Sequence, residues 1–584
     1  MKNKLLAMLI AAAMTVSMMP AFAWADTLPE IEYIDKSPIA EVGGSSLLAQ
    51  AGVGDAKFDP RSESWYRNIK VKNQGRTGTC WACATATAAE ISYAKEVGSY
   101  SELSSGHLAY FMYNRAVDPL KNTSGDKNIL KDGDWALKGG NALYTTQALA
   151  NRTGMALESI APSPQQPGHG GYNSAIAYKN HLTLQNCSVI NVKTRANVKA
   201  AIVKYGAVVS SYLHEDEYLK GANYYYAGRN LAGNHSVAIV GWDDEYSPTN
   251  FANNPGKPGA WLVQNSWGTG FGDNGYMWLS YADPTFGYCG QTSDGRNAFY
   301  GIAVDMQPAE TSDYVFEYDG NAYYGLTTLK KGDKVANVYT AGTGVSGECI
   351  KLDAVGLTTW TDGTANYDIN VYVGVTKKDG VVQPTSGKKK ASISVTTKTS
   401  GYYTFDLGKS LTIAKGVPYA IVVTAGTNGI NMGTEYPEDT TSIRFEAKNA
   451  KNHSLKYSNA SGKWSDLALA SKEASARVKG YAKDGGDFTP NGTSLASVKA
   501  GKGQLTVKWS KQAYQTNGYQ IRYSTKSDMS GAKTATVSKT GTVSKTIKKL
   551  KKGKKYYVQV RTYKTIDGKK CASSWSNSKS ARVK

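Results

Sequence analysis

Cysteine is scarce in this chain, six among 584 residues, so a small disulfide-stapled scaffold is excluded and packed cores must supply its stability. Acidic residues nearly vanish from its far end, where residues 499–584 hold 22 Lys and Arg against only Asp528 and Asp567. Past the first two dozen residues, no uninterrupted apolar run approaches the ~20 residues that a membrane-spanning helix needs. Charge is not in excess either: 20% charged and 41% hydrophobic residues exclude a disordered chain, and 60 Gly without a fixed period exclude collagen. The length exceeds what one core can organise, so several domains are expected.

What is present begins with an export signal. Lys2 and Lys4 precede an apolar run through Met19, and Ala23 and Ala25 flank Trp24, the pattern of a secretory signal peptide over 1–25. An uncleaved anchor fits less well, because Thr15, Ser17 and Pro20 interrupt the run. The mature chain is therefore expected to be secreted, extracellular or cell-surface associated, with no transmembrane segment. Residues 26–57, with Gly43-Gly44 and Gly52-Val53-Gly54, read as a short pro-segment or spacer. Over 58–302, a helical stretch near the start and the runs AVVSSYL and HSVAIVGW near the end predict an α+β domain. Short alternating runs such as Ile369, Val371, Val373 and Val375 predict an antiparallel β-sandwich over 308–484. Residues 485–493 have linker composition, and QLTVKWS, GYQIRYS, KTATVS and KYYVQVRTY predict a smaller sandwich over 494–584. The fold class is thus multidomain, α+β followed by two all-β sandwich domains. The last module carries nearly all of the net charge of +21, which suits an anionic cell-wall polymer or glycan; no nucleic-acid partner is expected.

Chemistry concentrates in the first domain. In Thr77-Gly78-Thr79-Cys80-Trp81-Ala82-Cys83, the residues Trp81, Ala84, Ala88 and Ile91 recur at helical spacing until Gly98, so Cys80 falls on the first turn of a helix. Unpaired amides and the positive end of the helix dipole favour a thiolate there, although a lone helix Cys is more often a small buried apolar group. Its partners discriminate. His235 opens the strand HSVAIVGW, and a Pro, Asn and Gly-rich loop leads to a second strand, AWLVQNSWG, that contains Asn265. Antiparallel pairing with Trp242 opposite Ala260 sets Val237 opposite Asn265 and His235 opposite Trp267. His235 and Asn265 then share a face as diagonal neighbours, beside the Trp267 indole. A slip of one residue would separate them.

Three blocks, NQGRTGTCWA, NHSVAIVGW and QNSWGTGFGDNGY, resemble the papain-like cysteine peptidases across about 58–302. The resemblance implies Cys80 as nucleophile, His235 as base and then acid, Asn265 as the group that orients the imidazole, and Gln74 with the Cys80 amide as oxyanion donors. Trp267 and Trp81 are supporting residues, with Trp267 shielding the His235 hydrogen bond from water. Gly139 and Gly140 resemble the substrate wall. Protein or peptide substrates follow, hydrolysed through a thiolate–imidazolium pair at neutral pH, with no cofactor and no metal. Cys80 and His235 lie 155 residues apart, slightly beyond the roughly 130 to 150 of papain-type chains, and the extra length fits 112–132 or 244–259. The chain also departs from the family at Thr77, where a Cys is usual, and before Gly139, where its partner Cys is missing; the paired loss implies that packing replaces a disulfide. Residues 494–584 resemble a fibronectin type III module through Trp509, Leu550, Tyr556, Val558 and Val560. Residues 308–484 resemble the lectin-like module that follows some bacterial papain-like peptidases.

Two rivals come from other classes. Cys80-x-x-Cys83 has the spacing of a thiol–disulfide exchange motif, but it leaves His235, Asn265 and Gln74 without jobs. A surface adhesin or carbohydrate-binding protein with an incidental peptidase fold would place the function in the β modules. His107, His169, His181, His214 and His453 are expected to be surface or satisfied structural histidines.

Overall fold

The computed structural model describes residues 54–584 except 292–296, 310–312, 324, 343, 361–363, 436, 441, 471–474, 487–488 and 513–515. The expected signal peptide, and all of 26–57 before Gly54, lie outside the described residues.

The helix Cys80–Val97 is the spine of the first domain. It ends where the sequence predicts, at Gly98, whose φ of 69° is left-handed and whose N–H donates to the Ala94 carbonyl. Fourteen of its eighteen residues are buried, so no single apolar stripe seats it. The small side chains of ATATAA let neighbours close around it instead: the helices Ser105–Tyr113 and Ala142–Ala150 and the strands His235–Asp243 and Gly301–Pro308. Those strands belong to a sheet that runs in the order Leu182–Ile190, Gly301–Pro308, Val208–Tyr212, His235–Asp243, Ala260–Gln264, Tyr276–Ser280.

This sheet does not stop at the edge of the domain. Leu182–Ile190 also pairs with Gly401–Ala414, through Gly401 with Ser188 and Tyr402 with Cys187. Gly401 has φ 151°, and a Cβ there would lie 1.9 Å from the Cys187 carbonyl oxygen, so only glycine allows the approach. The sheet continues through Cys349–Thr359 and Val478–Asp484 to Tyr314–Phe316. A second seam forms where Lys127–Leu130, within the extra length of the first domain, pairs with Ile443–Glu446. Facing this layer is an antiparallel six-stranded sheet in which Ile369, Val371 and Val373 alternate with more exposed residues, as the period-two pattern requires.

Between the seams lies a buried charge cluster. Lys479 Nζ sits 2.9 Å from Glu317 and 2.6 Å from Asp319, and Arg477 Nη1 lies 3.2 Å from Asp319. The first domain reaches in with Gln147, whose Nε2 donates to Asp319 at 2.8 Å, and with Arg115, 3.9 Å from Glu317. Burial pushes Glu317 up to about 7.

The C-terminal module packs Trp509, Tyr519, Val558 and Val560 between its two small sheets. It seats one hairpin end on the large sandwich: Ile566 enters the sandwich core, Asp567 pairs with Lys390 at 2.7 Å, and Lys569 Nζ donates to the Lys415 carbonyl at 2.7 Å. The opposite end gathers cations. Backbone bonds from Gly503 N to Lys584 O, Leu550 N to Gly503 O and Gly553 N to Val583 O tie together the loops bearing Lys502, Lys549, Lys551, Lys552 and Lys554. None of these five lysines is in an ion pair among the described residues.

Candidate active site

Three segments from distant parts of the chain meet at the start of the Cys80 helix. An isolated antiparallel bridge joins Asn73 to Trp267, with Gln74 N donating to Ser266 O at 2.8 Å and Gly268 N to Lys72 O at 3.0 Å. Lys72 is itself bound to the helix through the fully buried Glu90, at 2.7 Å, which ties this segment to the nucleophile's helix. Gln74 is fixed at both ends of its amide: Oε1 accepts from Ser266 Oγ at 2.7 Å and Nε2 donates to Thr77 O at 2.8 Å, which leaves one N–H of Nε2 uncommitted.

His235 and Asn265 come together as the alternation predicts. The imidazole Nε2 lies 2.7 Å from Asn265 Oδ1, and the Ser266 N–H donates to the same oxygen at 2.8 Å. Because an N–H can only donate, that atom is the acceptor, so Nε2 carries the proton and Nδ1 is left for Cys80. Trp267 stacks on the imidazole with ring centres 4.6 Å apart and planes 25° from parallel.

The pairing used to reach this arrangement needs one correction. Trp242 stands opposite Trp261 and not Ala260, because a bulge between Ile239 and Gly241 adds Val240 to one strand. Below the bulge, Ala238 faces Gln264, which is the register that sets Val237 against Asn265 and His235 against Trp267.

Cys80, Gly139, Gly140 and His235 line one cleft, together with Ser211 and Tyr288; Gln74, Asn265 and Trp267 stand outside that lining. Burial pushes the Cys80 thiol up to about 11, against the pull of the Ser236, Trp81 and Cys80 amides. Burial likewise pushes His235 down to about 3, with Asn265 opposing it. Desolvation at both groups opposes the neutral-pH ion pair expected from the sequence, while the amides around Cys80 and the Asn265 oxygen favour it.

Cys80, at a helix start, thus shares a cleft with a histidine that Asn265 holds and Trp267 covers. Residues 55–295 match the papain family cysteine protease model, residues 315–482 the lectin-like domain and residues 490–577 the fibronectin type III domain. Residues 55–295 are a papain-family domain. Relatives include the probable cysteine protease RD19D of Arabidopsis thaliana, 27% identical over 41% of this chain and 63% of that protein. Another is the cathepsin B-like cysteine proteinase 3 of Caenorhabditis elegans, 27% identical over 38% and 60%. The chain thus spans less than two thirds of the length of these two relatives. Among solved structures, the cysteine protease and lectin-like domains of Cwp84, a surface layer associated protein of Clostridium difficile, align over 74% of this chain and 89% of theirs. The TM-score is 0.59 at 24% identity, a likeness of fold across both domains.

Within the papain-family domain, Trp81 holds the Gly139-Gly140 segment. Its Nε1 donates to Lys138 O at 3.3 Å, and a Cβ on Gly140 would sit 2.5 Å from its ring. Tyr113, edge-on to Trp81, donates its hydroxyl to Gly139 O. Next to Thr77, Gly78 N donates to Ala136 O at 2.7 Å and packs so closely on Leu137 that a Cβ would lie 2.6 Å from its carbonyl oxygen. Cys83 is buried, with Sγ 3.3 Å from Ser105 Oγ, and forms no disulfide with Cys80, which leaves the exchange reading without support.

Four of the five remaining histidines are satisfied structurally: His107 on Ile176 O, His181 on Ser101, His169 on the Gly171 amide and His453 stacked on Tyr318. The fifth, His214, is hydrogen-bonded as well, to the Tyr212 hydroxyl and to Asp216, and stands beside the site. It packs on Trp267 with ring centres 4.8 Å apart and stands 6.3 Å from His235. Nothing in HEDEY marks it, because Asn234, next to His235, carries it there: Asn234 Oδ1 accepts from His214 N at 2.7 Å and Nδ2 donates to His214 O at 2.9 Å.

Proposed function

We propose that this protein is a secreted cysteine endopeptidase that cuts peptide bonds through Cys80, His235, Asn265 and Gln74. The observation that carries the reading is the His235 to Asn265 hydrogen bond of 2.7 Å, roofed by Trp267, on a cleft shared with Cys80. In the first step, Sγ attacks the substrate carbonyl carbon while His235 Nδ1 takes the thiol proton. The carbonyl oxygen becomes an oxyanion and accepts from the Cys80 amide and the uncommitted N–H of Gln74. His235 then gives its proton to the leaving nitrogen, the C–N bond breaks and an acyl thioester remains. Water attacks the thioester, its proton passes to His235 and on to Sγ, and the acid leaves. Gly139 and Gly140 offer an open edge along which an extended substrate backbone can lie.

Cys80→Ala should abolish both hydrolysis of an unfolded protein substrate and labelling by a thiol-directed inhibitor. Retained turnover in that variant would overturn the assignment.

Residues 1–25 direct export in this reading, and residues 26–57 are a spacer or pro-segment ahead of the domain; N-terminal sequencing of the active protein tests both. The C-terminal lysine end retains the enzyme at an anionic cell-surface polymer, with attachment that weakens as salt rises. The lectin-like sandwich would supply any additional glycan contact.

A further inference from the structure

His214 stands where a second charge can act on the pair that performs the chemistry. Its Nδ1 lies 3.0 Å from the Tyr212 hydroxyl and its Nε2 3.2 Å from Asp216 Oδ1. One face stacks on Tyr224, with centres 5.0 Å apart and planes 25° from parallel, and its edge meets Trp267, the ring that roofs His235. The titratable groups facing it are Asp216 and Tyr212 on its own segment, Tyr224 on the neighbouring strand and His235 across the Trp267 edge. Cys80 shares the cleft with His235.

We propose that His214 is a positioning residue whose charge, when its ring is protonated, acts beside His235 and keeps the Cys80–His235 pair competent to lower pH. This rests on the peptidase reading above. The carboxylate of Asp216 favours the charged ring and burial opposes it, so the charge arrives below the ordinary histidine value of 6.5. Once charged, His214 repels a proton on the His235 ring 6.3 Å away. It also favours a thiolate over a thiol at Cys80. Both effects have one sign: they resist the added proton that would silence the pair, and they move the acid limb of activity downward. The neutral ring has a different use, as the wall that keeps Trp267 in place.

The test measures the pH dependence of kcat/KM and, independently of turnover, of the rate at which iodoacetamide alkylates Cys80. Two variants of the full chain are compared: His214→Phe, which keeps an aromatic ring against Tyr224 and Trp267, and His214→Gln, which keeps hydrogen-bonding capacity. Both remove the charge while leaving the backbone clasp of Asn234 intact. The expected result is an acid limb displaced upward by about half to one pH unit in both variants and both measurements, with the neutral plateau retained in at least one. Profiles that superimpose on the wild type would overturn the inference, as would a lowered plateau with no displaced limb, the result of a purely structural wall. A wild-type chain that cuts no unfolded protein or peptide substrate would overturn the peptidase reading itself, and the inference with it.

Discussion

Glycines near the site differ sharply in what a single methyl group would cost. Gly140 lies against the Trp81 indole, where a Cβ would come within 2.5 Å of the ring, whereas Gly98 has open space and only a left-handed φ of 69°. Gly140→Ala should therefore displace the cleft wall and raise KM, with a lowered melting temperature. Gly98→Ala should cost about 1 kcal/mol of stability and leave kinetics untouched. Kinetic and thermal-melt measurements on the two variants check this contrast. Gln74→Ala should lower kcat roughly a hundredfold or more, the effect of losing one oxyanion donor; an unchanged rate would remove Gln74 from the mechanism. At this scale the sequence was most informative. Cys80, His235 and Asn265 announce themselves by residue type beside helix and strand signals, and Gly98 announces the stop. His214 did not, because its position depends on a clasp from Asn234, twenty residues away, and no local pattern encodes that contact.

At the scale of elements, the strand pair carrying His235 and Asn265 shows how far periodicity reaches. Alternation correctly sets the two side chains on one face, yet counting from Trp242 and Ala260 misses the extra residue at Val240. A bulge leaves no mark in alternating hydrophobicity when every residue from Val237 to Trp242 is buried. The seams between the first domain and the sandwich were equally illegible. Lys127–Leu130 is a four-residue strand with one buried position, and the partners Ser188 and Gly401 lie more than two hundred residues apart. The strands Leu182–Ile190 and Lys127–Leu130 each satisfy backbone groups across the seam. A fragment ending at residue 309, after the strand Gly301–Pro308, should therefore expose unpaired edges and aggregate or melt well below the full chain, as light scattering and calorimetry would show.

At the scale of the whole molecule, the charge cluster between the seams makes stability depend on pH. Burial holds the Glu317 carboxyl near 7 in the folded chain, above its ordinary 4.5. The folded state thus binds a proton that the unfolded state releases, so this contribution is present below about pH 4.5 and is lost as pH rises through about 7. Glu317→Gln should flatten that part of the melting-temperature profile between pH 4 and 7. Removing a cation instead, as in Lys479→Met, should cost about 3 to 5 kcal/mol by taking the nearest cation from both buried Glu317 and buried Asp319. The backbone bond from Gly78 to Ala136, where the sequence resemblance led one to look for a disulfide, carries a practical meaning. Cys80, Cys83, Cys187, Cys289 and Cys349 are all thiols. Dithiothreitol therefore has no cross-link to cut within the first domain, and can rescue an air-oxidised nucleophile without loosening the scaffold around it.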